Sequence, residues 1–116
     1  MGNFDEALAE LQRAVALYED ATRRSKEEWG TVVNLAEAHD DVAEVLVDLA
    51  ARRGTPAARQ QEWRARALAE DRKALALYEG LRDKGVLPKT REQRIAELKE
   101  AVEKLRRAGG GDRPPS

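Results

Sequence analysis

Apolar side chains recur along this chain at helical spacing, and breaks in the recurrence divide it into four segments. Phe4, Leu8, Leu11, Val15 and Tyr18 fall at intervals of 4, 3, 4 and 3, which is one stripe of an α-helix. Asn3 with Glu6 forms a capping box ahead of that stripe and predicts a first helix over about 4–24. A second box, Ser25 to Glu28, opens a helix over about 26–53 with Leu35, Ala38, Val42, Val45 and Leu49 on one stripe. Trp29, Val33, Ala36, Ala43, Val47 and Ala50 form another stripe beside it, so this helix should meet more than one neighbour. Residues 20–26 hold no Gly or Pro. A continuous helix from Phe4 to Arg53 is therefore the alternative, and a second chain would have to cover its stripe.

Gly54-Thr55-Pro56 is the strongest punctuation. Gly suits the residue after a helix end, Thr an N-cap, and Pro the first helical position, where a missing N–H is no loss. A third helix follows over about 56–84, with Trp63, Ala67, Leu68, Ala74, Leu75, Tyr78 and Leu81 inward and Gly80 as its weak point. Val86 and Leu87 plug the core from the next loop. Thr90 with Gln93 caps a fourth helix over about 90–108, whose seam is Ile95, Leu98, Val102 and Leu105. Residues 109–116 hold three glycines and two prolines and are expected to be a disordered tail. The pattern predicts an all-α domain over 1–108: four antiparallel helices, arranged as helical hairpins or a bundle.

Composition agrees with that assignment. Ala fills 20 of the 116 positions, charged residues make up 37% and aromatics 4%, a mix suited to long helices and poor for strands. The absence of Cys excludes a disulfide framework and a thiolate-bound metal. No apolar run approaches the ~20 residues of a membrane span. Nothing at the N-terminus reads as a signal peptide, so a soluble cytoplasmic protein is expected.

The net charge of −1 conceals an asymmetry. Residues 1–50 carry 12 acids and 4 bases, whereas residues 51–116 carry 10 acids and 17 bases. The expectation is that the two halves pack together and neutralise each other. Glu37, Asp40, Glu44 and Asp48 form one acidic stripe on the second helix, and like charges at i,i+4 call for compensation. Arg59, Arg66 and Lys73, spaced by sevens on the third helix, are the expected counter-charges.

The third helix also repeats the first. Residues 7–19, ALAELQRAVALYE, match 67–79, ALAEDRKALALYE, at nine of thirteen positions. Repeated helical units stack, because one unit cannot bury its own apolar face. Gly2-Asn3-Phe4-Asp5-Glu6-Ala7-Leu8, followed by Leu11 and Ala14, resembles the second helix of a tetratricopeptide repeat. Ala67 and Ala74 repeat its seven-residue alanine spacing, with Asp71 where the family has a large residue. The second helix looks like the first helix of such a repeat, with His39, Val42, Ala43 and Leu46 at its signature positions. The copies are 60 residues apart rather than the 34 of the family, so the helices are elongated. The wording is similar to terminal repeats of bacterial signalling proteins, including receptor-type serine/threonine kinases. The match starts at the second helix of a repeat. The resemblance therefore implies that Phe4, Leu8, Leu11, Val15 and Tyr18 lack a partner within one chain. At about 1.5–3 kcal/mol for each side chain fully buried, they favour a homo-oligomer, a dimer in the simplest case.

Few residues offer chemistry. His39-Asp40-Asp41, with Glu37 and Glu44 near, is the one cluster to test for metal. Glu37 and His39 are two residues apart and point to different faces, whereas a helical metal site needs i and i+3. Ser25 and Ser116 are the only serines, one a cap and the other in the tail. The run Gly109 to Gly111 follows a helix, the reverse of a phosphate-binding order. Trp29 and Trp63 sit at core spacing rather than in base-stacking positions. No catalytic residue, metal or cofactor is expected, and the chain is read as no enzyme. The expected function is protein–protein interaction or scaffolding, with self-association through the first helix. A partner groove of the first and third helices would use Asn34, Asp41, Arg64 and Lys73. The alternatives are a purely structural oligomerisation bundle and, more distantly, a basic-faced nucleic-acid binder. No membrane partner is expected.

Overall fold

The computed structural model of the chain describes residues 3–24 and 29–108. Within them lie four α-helices and no strand: α1 (Asn3–Arg24), α2 (Trp29–Ala51), α3 (Ala57–Asp83) and α4 (Glu92–Ala108). The Ser25 capping box and the tail 109–116 lie outside the described residues, as does the side chain of Phe4. α1 packs against α2, α2 against α3, and α3 against α4. The side-by-side packing of α1 on α2 removes the alternative of one continuous helix from Phe4 to Arg53.

α2 is the centre of the fold. Its buried residues include Val32, Leu35, Ala36, Ala38, Val42, Ala43, Leu46, Leu49 and Ala50, which is most of both predicted stripes with Val32 and Leu46 added. One core cluster joins Leu8 of α1, Val42, Ala43, Leu46 and Leu49 of α2, and Ala67 of α3, with Leu11, Val15, Trp63 and Leu105 packed on it. A second joins Ala36, Ala74, Tyr78, Ile95 and Leu98, with Leu75, Leu77 and Leu87 packed on it. Ala36, Ala43, Ala67 and Ala74 are all buried where α2 and α3 meet. Small side chains there let the two backbones approach closely as a ridge enters a groove.

The turns depart from the sequence expectation in instructive ways. Gly54 takes a left-handed φ of +86°, as a residue past a helix end should. Thr55, however, faces backward: its hydroxyl donates to the Leu49 carbonyl at 3.2 Å and its N–H to the Arg52 carbonyl at 3.1 Å. It ties off the orphan carbonyls of α2 rather than capping α3, whose N-cap is Pro56 without a side-chain bond. After α3, Gly85 adopts a φ of +74°. Its N–H bonds the Arg82 carbonyl at 2.9 Å, and that of Val86 bonds the Leu81 carbonyl at 3.0 Å. This is a Schellman closure. Thr90 does not cap α4 either. Pro88 starts a 3-10 turn over Lys89–Arg91 with no side-chain cap, which places Thr90 inside the turn and α4 two residues later.

Leu46 is fully buried in the first cluster. Leu46→Ala is expected to cost about 2–5 kcal/mol in urea unfolding. Gln12→Ala, at an exposed position of α1, should stay within about 0.5 kcal/mol.

Candidate functional site

The acidic stripe of α2 faces α4. Arg94 donates from Nε and Nη2 to the two carboxylate oxygens of Asp40, at 2.7 and 2.6 Å. One turn earlier Arg91 pairs with Glu37. Glu37 and Asp40 are three residues apart, as are Arg91 and Arg94, so two parallel helices meet in register. The Asp40 hydrogen bonds raise the Arg94 guanidinium further above its usual range, against its partial burial. The expected counter-charges on α3 serve elsewhere. Lys73 pairs with Glu70 at 3.6 Å. Arg59 pairs with Glu62 at 3.5 Å and stands over the Trp63 ring. Arg66 is exposed. The acidic and basic halves do meet, but through α4, because α4 rather than the outer face of α3 lies beside the stripe.

On the α2–α3 contact, His39 is buried and its Nδ1 lies 2.6 Å from Glu70 Oε1. Burial pushes the Glu70 carboxyl up, but the His39 hydrogen bond and charge, with Lys73, outweigh it and hold it below its usual range. Among the described residues no group of three or more His, Asp or Glu side chains is arranged to hold a metal ion.

Beyond the Arg94–Asp40 bridge, α2 and α4 flank a groove of about 580 Å³, floored by Arg64 and Asp71 of α3. Ala43, Glu44, Val47 and Asp48 form one wall, Ala101, Lys104 and Leu105 the other. Asp71 lies at the floor and is 4% exposed. Burial, then the neighbouring Asp40 charge, pushes its carboxyl up to about 7 despite Arg94. Burial and Asp40 also raise Glu44. Burial, Asp40 and Glu37 raise Asp41. On the other side of the bridge a second concavity contains Glu37, Asp41, Tyr78 and Arg91. There burial and Glu37 push the Tyr78 hydroxyl up to about 12.

The residues expected to line one partner groove are dispersed. Asp41 and Arg64 line different concavities, Lys73 is tied to Glu70, and Asn34 is exposed. The principal groove lies between α2 and α4 rather than between α1 and α3, because α1 packs on α2. Of the α1 stripe, Leu8 is buried in the chain's own core and Leu11 and Val15 pack on it, while Tyr18 is half-buried. Trp29 and Trp63 are half-buried, each beneath a cation, Lys84 at 4.8 Å and Arg59 at 5.4 Å. Arg91, Arg94 and Asp71 went unassigned as site residues. The equal i,i+3 spacing of the acidic and basic pairs was the signal for the first two. Among the described residues, no helix is long and apolar enough to cross a membrane. The chain matches no protein-family model, no curated protein and no solved structure.

Two outcomes follow from these charges. Between about pH 4 and pH 7 the folded chain keeps a proton on Asp71 that the unfolded chain has released, so its contribution to stability falls as pH rises through that window and is level above it. Asp71→Asn is therefore expected to raise stability by about 1–3 kcal/mol near pH 8 and by little near pH 4, read by thermal unfolding at both. Arg94→Ala strands the buried Asp40 charge and should cost about 2–4 kcal/mol near pH 7. Adding Asp40→Leu should restore most of that loss, and a loss that persists would place the effect of Arg94 elsewhere.

Proposed function

We propose that the chain is a non-catalytic, cytoplasmic protein-interaction module, a stack of elongated hairpins resembling a tetratricopeptide array that self-associates through α1. The carrying observation is the state of α1. Its close packing is with α2, and Leu17 on its flank is 71% exposed. Ala14 and Ala21 lie beside Leu17 at i−3 and i+4 and are half-buried, as are Leu11, Val15 and Tyr18. A second helix laid along this flank would complete the cover that α2 begins. The four buried alanines between α2 and α3 support the repeat-like part of the reading, since small residues at a hairpin crossing are what stacked helical repeats use. Against a nucleic-acid role, Arg91, Arg94 and Lys99 are engaged with Glu37, Asp40 and Glu79. Those three bases are held within the fold rather than offered to phosphate.

Light scattering tests the self-association. The mass should rise above 12.9 kDa as concentration approaches about 100 µM, an affinity within reach of one helix flank. Leu17→Glu should return the mass to that of one chain with the helical circular dichroism unchanged. Leu8→Glu should instead unfold the chain, because Leu8 is core. A strict monomer at the upper concentration would overturn self-association.

A further inference from the structure

We infer that the groove between α2 and α4 is a docking site for a lysine-bearing helix of a partner protein, with the lysine ammonium seated on Asp71. The proposal rests on the chain being an interaction module, but it uses a face other than α1.

Asp71 is the observation that points to a ligand. Its carboxylate is almost wholly buried, and the surface it retains opens into the groove. Among the described residues no hydrogen bond or ion pair reaches it. Arg94 attracts it, but the Arg94 donors at Nε and Nη2 are held by Asp40 at 2.7 and 2.6 Å. The charges that act most on Asp71 are Asp40 and Glu44 from α2, Glu70 from its own helix and Arg94 from α4, three acids and one base. Arg64 and Lys104 line the same groove, Arg64 seven residues earlier on α3, and no ion pair joins either to Asp71 among the described residues. A buried acid in acidic company, open only toward a groove, asks for a cation from outside.

The shape and the remaining charges narrow the class of ligand. A compact ammonium on a flexible apolar stem can reach one carboxylate at the bottom of a groove. Val47, 38% exposed, and Leu105 supply apolar walls for the stem and its neighbours. α2 and α4 run parallel on either side, the arrangement in which an amphipathic helix lies along a groove and inserts side chains at i, i+3 and i+4. Glu44 and Asp48 line the α2 wall, and Lys104 stands on the α4 wall. A helix with its lysine toward α2 and a carboxylate toward Lys104 matches both.

The test uses the full chain and a designed helical peptide with one central Lys between two Leu residues, beside the same peptide carrying norleucine for Lys. Titration calorimetry near pH 7 should show the Lys peptide binding at least about tenfold tighter. It should also show release of protons as Asp71 ionises, read as a dependence on buffer ionisation heat. Both the preference and the proton release should vanish in Asp71→Asn. Equal affinity of the two peptides, or a preference that survives Asp71→Asn, would overturn the proposal. Titration of Asp71 in the ordinary carboxylate range in the free chain, returning toward neutral pH on Arg113→Ala, would also overturn it, by assigning the groove to the chain's own tail. Light scattering on the same samples reports α1 association separately. A monomer that still discriminates the Lys peptide removes self-association and leaves the groove assignment standing.

Discussion

α2 is buried along most of its length and yet bears a carboxylate on every turn from Glu37 to Asp48. The rest of the structure depends on how that conflict is resolved. Leu35, Val42, Leu46 and Leu49 demand cover from α1 and α3. Glu37 and Asp40, on the adjoining edge, demand cations, and a buried carboxylate without one is among the costlier defects a small domain can hold. α4 answers the second demand. Its Arg94, with Arg91 in the 3-10 turn just ahead of it, reaches α2, while its Ile95 and Leu98 reach α3. The position of α4 is thus fixed by one polar and one apolar contact that share a single helical turn.

That fixing is local. The bridge pins the N-terminal half of α4 against the middle of α2, and no further ion pair joins the two helices among the described residues. Past Arg94 the second half of α4 is held by Leu105 on the first core cluster. The groove is a consequence of this unequal fastening. Its floor is polar at the one place where it is deepest, because α3 presents Asp71 there. A large apolar residue at that position would fill part of the floor.

Much of the fold was legible in the sequence. The stripes of α1 and α2 and the seam of α4 are carried by 3.6-residue periodicity, and burial followed them in part: Leu8, Leu35, Val42, Leu49, Ile95 and Leu98 are buried, Leu11, Val15, Tyr18 and Val45 half-buried, and Leu46, outside both α2 stripes, is fully buried. Caps were less legible. A Thr before a Pro reads as an N-cap, but the same hydroxyl can serve the helix behind it, and Thr55 shares the Leu49 carbonyl with the Arg52 N–H. At Thr90 the φ imposed by Pro88 starts a 3-10 turn early and shifts the cap out of register. The complementarity of the two halves followed from counting charges. The helix that delivers the counter-charge did not, since counting carries no information about which faces meet. The same limit scattered Asn34, Asp41, Arg64 and Lys73, which share a side only if α1 and α3 border one groove.

Asp71 shows how a local rule-breaker gains meaning from its surroundings. In sequence it is one acid among 22. In the fold it is the point where the acidic edge of α2, the end of the α4 bridge and the floor of the groove coincide. An Asn there would remove the buried charge, and a Leu would also fill space, so either change relieves a cost that Asp71 imposes. A residue that opposes stability, and that leaves a groove open beside the exposed Val47 and the half-buried Leu105, points to a role in what enters the groove rather than in how tightly the helices close.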